Sequence, residues 1–218
     1  MRQRLGLNWV VVNAENCAVT GPNPMTGFGM TIELVDMLLE AGVDVITGGN
    51  HSWDGPHVAE ALARPEVVRP HNVAGSLGRG LRTVGSGDRT LTVVNLLSPS
   101  AALPGMLAPL PSPIWPGWTA LAAEPLEGAV LVDLHGESAW EKASFATAVD
   151  GQVAAVLGTH THDPTLRAHL LPGGTAFVTE VGMTGRLGFT GGGFGDLTLG
   201  AIHLTLTDGR ATTVSRIS

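Results

Sequence analysis

Cysteine is almost absent from this 218-residue chain, where Cys17 stands alone. One thiol excludes a disulfide scaffold and a cysteine-cluster zinc site, and it fits a reducing compartment. Charge is scarce too, at 14% of residues, with 12 Lys and Arg against 19 Asp and Glu. A formal net charge of −7 with so few cations argues against a nucleic-acid coat or a polybasic membrane anchor. No apolar run approaches the roughly 18 residues of a membrane-spanning helix. The opening, Met1 to Arg4 followed by apolar Leu5 to Val12, imitates a signal peptide. Asn8, Asn13 and Glu15 interrupt it, and no small-residue cleavage site follows. Internal repeats, a dinucleotide fingerprint and a phosphate-cradling P-loop are missing as well. The expectation is a soluble, cytoplasmic protein, one domain over residues 1–218, long enough to close a core without staples.

What is present alternates. Trp9 to Val12 reads as a buried strand, and a Gly/Pro loop at Gly21-Pro22-Asn23-Pro24 follows. A helix capped by Thr31 carries Leu34, Val35, Leu38 and Leu39 on one face and stops at Gly42. Val43 to Thr47 is the next strand, and Pro56 to Ala63 a helix with proline in its first turn. Leu91 to Leu97, Ala129 to Leu134, Val153 to Gly158 and Ala176 to Thr179 read as further strands. Ala139 to Ala148 reads as a helix, Ser98 to Pro116 as a long Pro-rich loop, and Gly191 to Gly193 as a flexible one. A hairpin from about Leu197 to Ile217 turns at Asp208-Gly209. This alternation predicts an α/β fold of layered β-sheets flanked by helices.

The residues able to do chemistry gather where these strands end. Asn13, Glu15 and Asn16 follow the first, Asn50 and His51 the second, His135 a third, and His160 and His162 a fourth. Ligands of open α/β sheets bind at the carboxyl ends of strands. Imidazole, carboxylate and amide oxygen together suit Zn, Mn or Fe, and a carboxylate can bridge two cations about 3.5–4 Å apart. Each piece alone has a plainer meaning, because Asn and Gly are ordinary turn formers and His-x-His can point apart. His57, His71, His169 and His203 are read as structural or solvated, and Asn50-His51-Ser52 as an accidental glycosylation triplet. The four strand-end clusters together predict that Glu15, Asn50, His135, His160 and His162 converge on one metal site.

Five segments carry a resemblance to a known family. They are Asn13-Ala14-Glu15-Asn16, Gly48-Gly49-Asn50-His51 with Trp53-Asp54, Asp133-Leu134-His135-Gly136-Glu137, Gly158-Thr159-His160-Thr161-His162, and Val181-Gly182-Met183-Thr184-Gly185. In this order they resemble the YmdB-like metallophosphoesterases, a branch of the calcineurin-like phosphoesterases. The resemblance implies layered sheets and a dinuclear site holding Fe, Mn or a similar ion. It also implies hydrolysis of phosphodiesters such as 2′,3′-cyclic nucleotides by a metal-activated hydroxide. By motif, Glu15 would bridge the metals, while Asn50, His135 and His160 complete one ion and Asn16 with His162 hold part of the other. His51 would be the catalytic residue beside the scissile phosphate.

The match to that family has three gaps. Relatives open with a strand ending Gly-Asp, whose Asp is a metal ligand, and then a helix. This sequence begins at what reads as the end of that helix, Met1 to Leu7, so the fold is expected to be N-terminally truncated. A Pro-x-Asp-Ser stretch is replaced by Arg186 to Gly195, and Ser98-Pro99-Ser100-Ala101 stands where relatives show Gly-Arg. The leading expectation is a phosphodiesterase acting on a small phosphodiester or cyclic nucleotide, with two divalent cations or only one in this chain. The alternative is a degenerate member that binds metal or nucleotide as a regulator. Loss of an internal strand leaves backbone groups unpaired, which predicts poor solubility or a homo-oligomer.

Overall fold

A computed structural model describes residues 2–18, 28–55, 57–101, 111–123, 125–165, 167–186 and 197–217. The loops read at Gly21 to Pro24 and Gly191 to Gly193, and the replaced stretch after Arg186, lie outside these described residues. In chain order the elements begin with α1 (Arg2–Leu5), β1 (Val11–Asn13), α2 (Ile32–Glu40), β2 (Val45–Thr47), α3 (Val58–Ala63) and β3 (Val67–Val68). Next come β4 (Leu81–Val84), β5 (Leu91–Leu97), α4 (Ile114–Leu121), β6 (Ala129–His135), α5 (Ala139–Ala148) and β7 (Ala155–Thr159). The chain finishes with β8 (Ala168–Leu170), β9 (Ala176–Val178), β10 (Gly185–Arg186), β11 (Leu197–Thr198), β12 (Ala201–Thr207) and β13 (Arg210–Ile217).

Two sheets dominate. β1, β2 and β3 form a parallel three-stranded sheet, and the other runs β4-β5-β6-β7-β9-β8. In the larger sheet β5, β6, β7 and β9 are parallel, with antiparallel β4 and β8 at the edges. β6 is buried along its whole length, as a central parallel strand covered on both faces must be. Its residues alternate between two cores. Val130, Val132 and Leu134 pack with Ile114 and Trp118 of α4 and Phe145 of α5, where Trp118 meets Phe145 edge-on at 5.6 Å. Ala129 and Leu131 face the smaller sheet, packing with Val45, Val68, Trp9 and Val11 and with Leu204 and Val214 of the C-terminal hairpin. Beyond the smaller sheet, Val35, Leu38 and Leu39 of α2 and Ala61 and Leu62 of α3 cover Ile46 and Val67. The result is a mixed α/β stack of helices, sheet, sheet and helices.

Local chemistry explains most boundaries. The Thr31 hydroxyl accepts from the Leu34 N–H at 3.3 Å, and Ser138 does the same for Glu141 of α5. Gly42 takes φ +92° just past α2, a backbone state that costs glycine nothing. One expectation is corrected: the Pro-rich stretch is not loop to its end, because α4 starts at Ile114. Pro116 sits in the first helical turn, where its missing N–H would have had no partner anyway. The sequence pattern does not predict β3, β4, β8 or β10, of two to four residues.

Register brings the two sheets' carboxyl ends to one rim. Asn13 pairs with Thr47 in the smaller sheet, and His135 pairs with Thr159 in the larger. Asp133, two residues before the end of β6, joins them. One of its oxygens accepts from Asn13 at 2.8 Å and Thr47 at 2.5 Å, and the other accepts from Thr159 at 2.7 Å.

Candidate metal centre

Glu15 lies just past β1 with its side chain 4% exposed. Its Oε1 accepts the His51 backbone N–H at 2.6 Å and lies 3.7 Å from His135 Nε2. Its Oε2 is buried with no hydrogen-bond partner. Burial pushes the carboxyl up to about 8, helped by the charges of Asp54 and Asp133 and opposed by the His51 N–H. Such a carboxylate lacks positive charge around it.

The two buried imidazoles nearest it supply none. Burial holds His135 well below the ordinary histidine range, and His160, Lys142, His162 and His51 add to the effect. Burial lowers His160 as well, against the partial support of Glu137. Both rings are therefore neutral, the form that binds cations. Their protons can be placed from their partners. The Thr159 hydroxyl donates to Asp133, so it must accept from His135 Nδ1, 3.0 Å away. The Nε2 of His135 is then bare. Yet it stands 2.8 Å from Asn50 Oδ1 and 3.0 Å from His160 Nδ1. His160 also holds its Nε2 3.3 Å from Glu137, and a neutral ring has one proton for these two partners.

One of the two His160 contacts therefore lacks a donor, and the Asn50 contact lacks one as its amide is placed. Atoms bound at about 2.0–2.2 Å to one cation, at right angles, lie about 3 Å apart. The His135, Asn50 and His160 contacts have that spacing. Flipping the Asn50 amide would relieve one contact, but a cation would also answer Glu15 Oε2 and Asn16 Oδ1, both buried without a partner. The donor set fits a divalent ion. Among the described residues no three His, Cys, Asp or Glu side chains already converge as a ready metal cage. The ligand-type atoms lie against one another instead.

Asn16 and His162 form the second edge of the site, with Asn16 Nδ2 3.4 Å from His162 Nε2. Asn16, His160 and His162 all take left-handed φ values, 62°, 106° and 65°, which is uncommon for non-glycine residues and frequent at functional sites. His51 stacks on Phe28 with ring centroids 4.3 Å apart, and its Nδ1 donates to Asp54 Oδ2 at 2.5 Å. Gly49 lets His135 come close, since a Cβ there would lie 2.3 Å from the imidazole. Glu15, Asn50 and His160, from three other segments, gather around His135, at 3.7, 2.8 and 3.0 Å from its Nε2; Asn16 with His162, and His51, flank them. The sequence reading gave Asp133, Thr47 and Thr159 no role, although a lone carboxylate inside the apolar run of β6 demands buried donors. Ser98 and Ser100, at the replaced Gly-Arg position, hydrogen-bond each other and Glu141.

This fold and rim belong to a group with known members. The sequence model of the YmdB-like protein family matches residues 1–196, and the chain belongs to that family. It is 35% identical over 181 residues to the 2′,3′-cyclic-nucleotide 2′-phosphodiesterase of Bacillus subtilis, covering 82% of this chain and 64% of that one. A crystal structure of a hypothetical protein from Thermus thermophilus superposes with a TM-score of 0.80 at 32% identity, covering 98% of this chain and 88% of its own. That of a novel phosphatase from Mycoplasma pneumoniae gives 0.74 at 31% identity, covering 85% and 64%. The chain thus spans just under two thirds of the length of the curated relatives it matches. Among the described residues no helix is long and apolar enough to cross a membrane.

Proposed function

We propose that the chain is a metal-dependent phosphodiesterase acting on small phosphodiesters, 2′,3′-cyclic nucleotides among them. The single observation that carries this reading is the packing of Asn50 Oδ1 and His160 Nδ1 within 2.8 and 3.0 Å of His135 Nε2, beside the unpartnered Glu15 oxygen. The relative named as a cyclic-nucleotide phosphodiesterase supports the substrate class. Glu15, Asn50, His135 and His160 would hold one divalent cation, and Glu15 with Asn16 and His162 part of a second, with Fe, Mn or a similar ion suiting the donors. Such ions, when bound, neutralise phosphate charge and acidify water.

The chain's own residues do the rest. Asp133, through Thr159, keeps the His135 proton on Nδ1 and so leaves Nε2 free as a ligand. Asp54 orients the His51 ring through Nδ1, while Phe28 fixes its plane. His51 would then give its Nε2 proton to the leaving oxygen as a water oxygen bonds to phosphorus and the old P–O bond breaks.

The test is metal analysis together with hydrolysis of bis(p-nitrophenyl) phosphate and 2′,3′-cyclic AMP on one preparation. The expected result is divalent metal in the protein and turnover that chelation abolishes and Mn²⁺ restores. Bound metal without turnover supports the regulatory alternative, and protein that binds no Mn²⁺ overturns the reading.

A further inference from the structure

Lys142 is the only lysine in the chain. It lies on α5, is 1% exposed, and puts its Nζ 3.1 Å from Oε2 of Glu180, a residue 3% exposed. Gly158 clears the route of the lysine stem, for a Cβ there would lie 2.8 Å from Lys142 Cδ and 1.9 Å from the Thr179 carbonyl oxygen. Replacing a buried ion pair by apolar residues is often neutral or stabilising, so such a pair invites another explanation than stability.

The other partners of Glu180 supply one. Its Oε2 accepts from both the backbone N–H of Thr161, at 3.0 Å, and the Thr161 hydroxyl, at 2.9 Å. Its Oε1 accepts from the Gly182 N–H at 3.2 Å. Thr161 is the residue between His160 and His162, both held at positive φ. Residues persist in such conformations only when their surroundings over-determine them. Arg216, on β13 and beyond the family match, braces the same segment from outside by donating to the carbonyls of Thr165, Glu180 and Val181.

We propose that Glu180 is a positioning residue: charged and held by Lys142, it clamps Thr161 so that His160 and His162 both present their rings to the metal centre. The inference rests on the metal reading above. The carboxylate can take two donors from Thr161 and one from Lys142 on a single oxygen because it is anionic. A glutamine keeps the shape but makes weaker bonds and turns an NH₂ toward one neighbour.

The test measures Mn²⁺ binding to metal-stripped protein by calorimetry, with a thermal melt of each sample. The variants are Glu180→Ala, Glu180→Gln, the uncharged pair Lys142→Met/Glu180→Gln, and Thr161→Val, which leaves the ion pair intact. The expected result is a loss of Mn²⁺ affinity of about 10–100-fold in Glu180→Ala, as for other groups that orient ligands. Smaller losses follow in Glu180→Gln and Thr161→Val. The uncharged pair keeps its melting transition and still loses affinity about tenfold, and it decides the matter if the single variants do not fold. A structural role alone lowers the melting temperature and leaves the Mn²⁺ affinity of the folded protein within twofold of wild type; that outcome overturns the proposal. Wild-type protein that binds no Mn²⁺ overturns the metal reading instead, and the proposal with it.

Discussion

Nδ1 of His135 lies 3.0 Å from the Thr159 hydroxyl, which already donates its only proton to Asp133. The pairing of β6 with β7 puts the two residues side by side, so the tautomer of a buried imidazole is set by sheet register. Carboxylates often orient metal-binding histidines directly. Here a hydroxyl stands between, and the carboxylate is shared with Asn13 and Thr47 of the other sheet.

Thr159→Val tests this relay with almost no change of shape. The His135 N–H loses its acceptor and Asp133 loses one of three side-chain donors. A buried group left unpaired costs about 1–3 kcal/mol, visible as a lower melting temperature. Mn²⁺ affinity is expected to fall about 10–100-fold in the same protein. Unchanged affinity would show that the ring does not need the hydroxyl to present Nε2.

Gly49→Ala separates crowding from backbone strain. Gly49 lies outside the left-handed region, so alanine suits its backbone, but the new methyl would stand 2.3 Å from the His135 ring. The ring must shift from its present position. The expected outcome is a folded protein with less bound Mn²⁺ and altered His135 resonances in a histidine-selective NMR spectrum. Wild-type Mn²⁺ content would mean that His135 is not a ligand.

His51 and His160 differ in their neighbours, and their variants should differ in kind. His51 bonds to Asp54 and stacks on Phe28, whereas His160 meets His135 at 3.0 Å. His51→Ala is expected to lower turnover by roughly 10²–10⁴-fold with metal content unchanged. His160→Ala is expected to lose metal along with turnover. Equal metal loss in both would make His51 a ligand.

The sequence discloses what short-range pattern controls. β5 and α5 fall on their expected residues because a run rich in Leu and Val and a Ser cap mark them. The strand-end polar residues stand out because Asn, His and Glu interrupt apolar strands. What stays hidden depends on partners far along the chain. Asp133 meets Thr47 across 86 positions, and Lys142 meets Glu180 across 38. Neither pairing leaves a local periodicity. α4 was masked by prolines that, in a first turn, do a helix no harm.

Cys17 gives a check on burial beside the site. Its thiol is pushed up to about 11, first by burial and then by the negative charge of Glu15, and its S–H points to the Gly29 carbonyl at 3.6 Å. The thiolate is the reactive form. At pH 8 an unfolded cysteine, with pKa near 8.5, is roughly one-quarter thiolate, and the folded one about one part in a thousand. Iodoacetamide should therefore modify native Cys17 on the order of a hundred times more slowly than the urea-unfolded chain. Glu15→Gln should quicken the native reaction only modestly, because the larger cause is burial. Equal rates in native and unfolded protein would place Cys17 in water and remove the apolar wall from this side of Glu15.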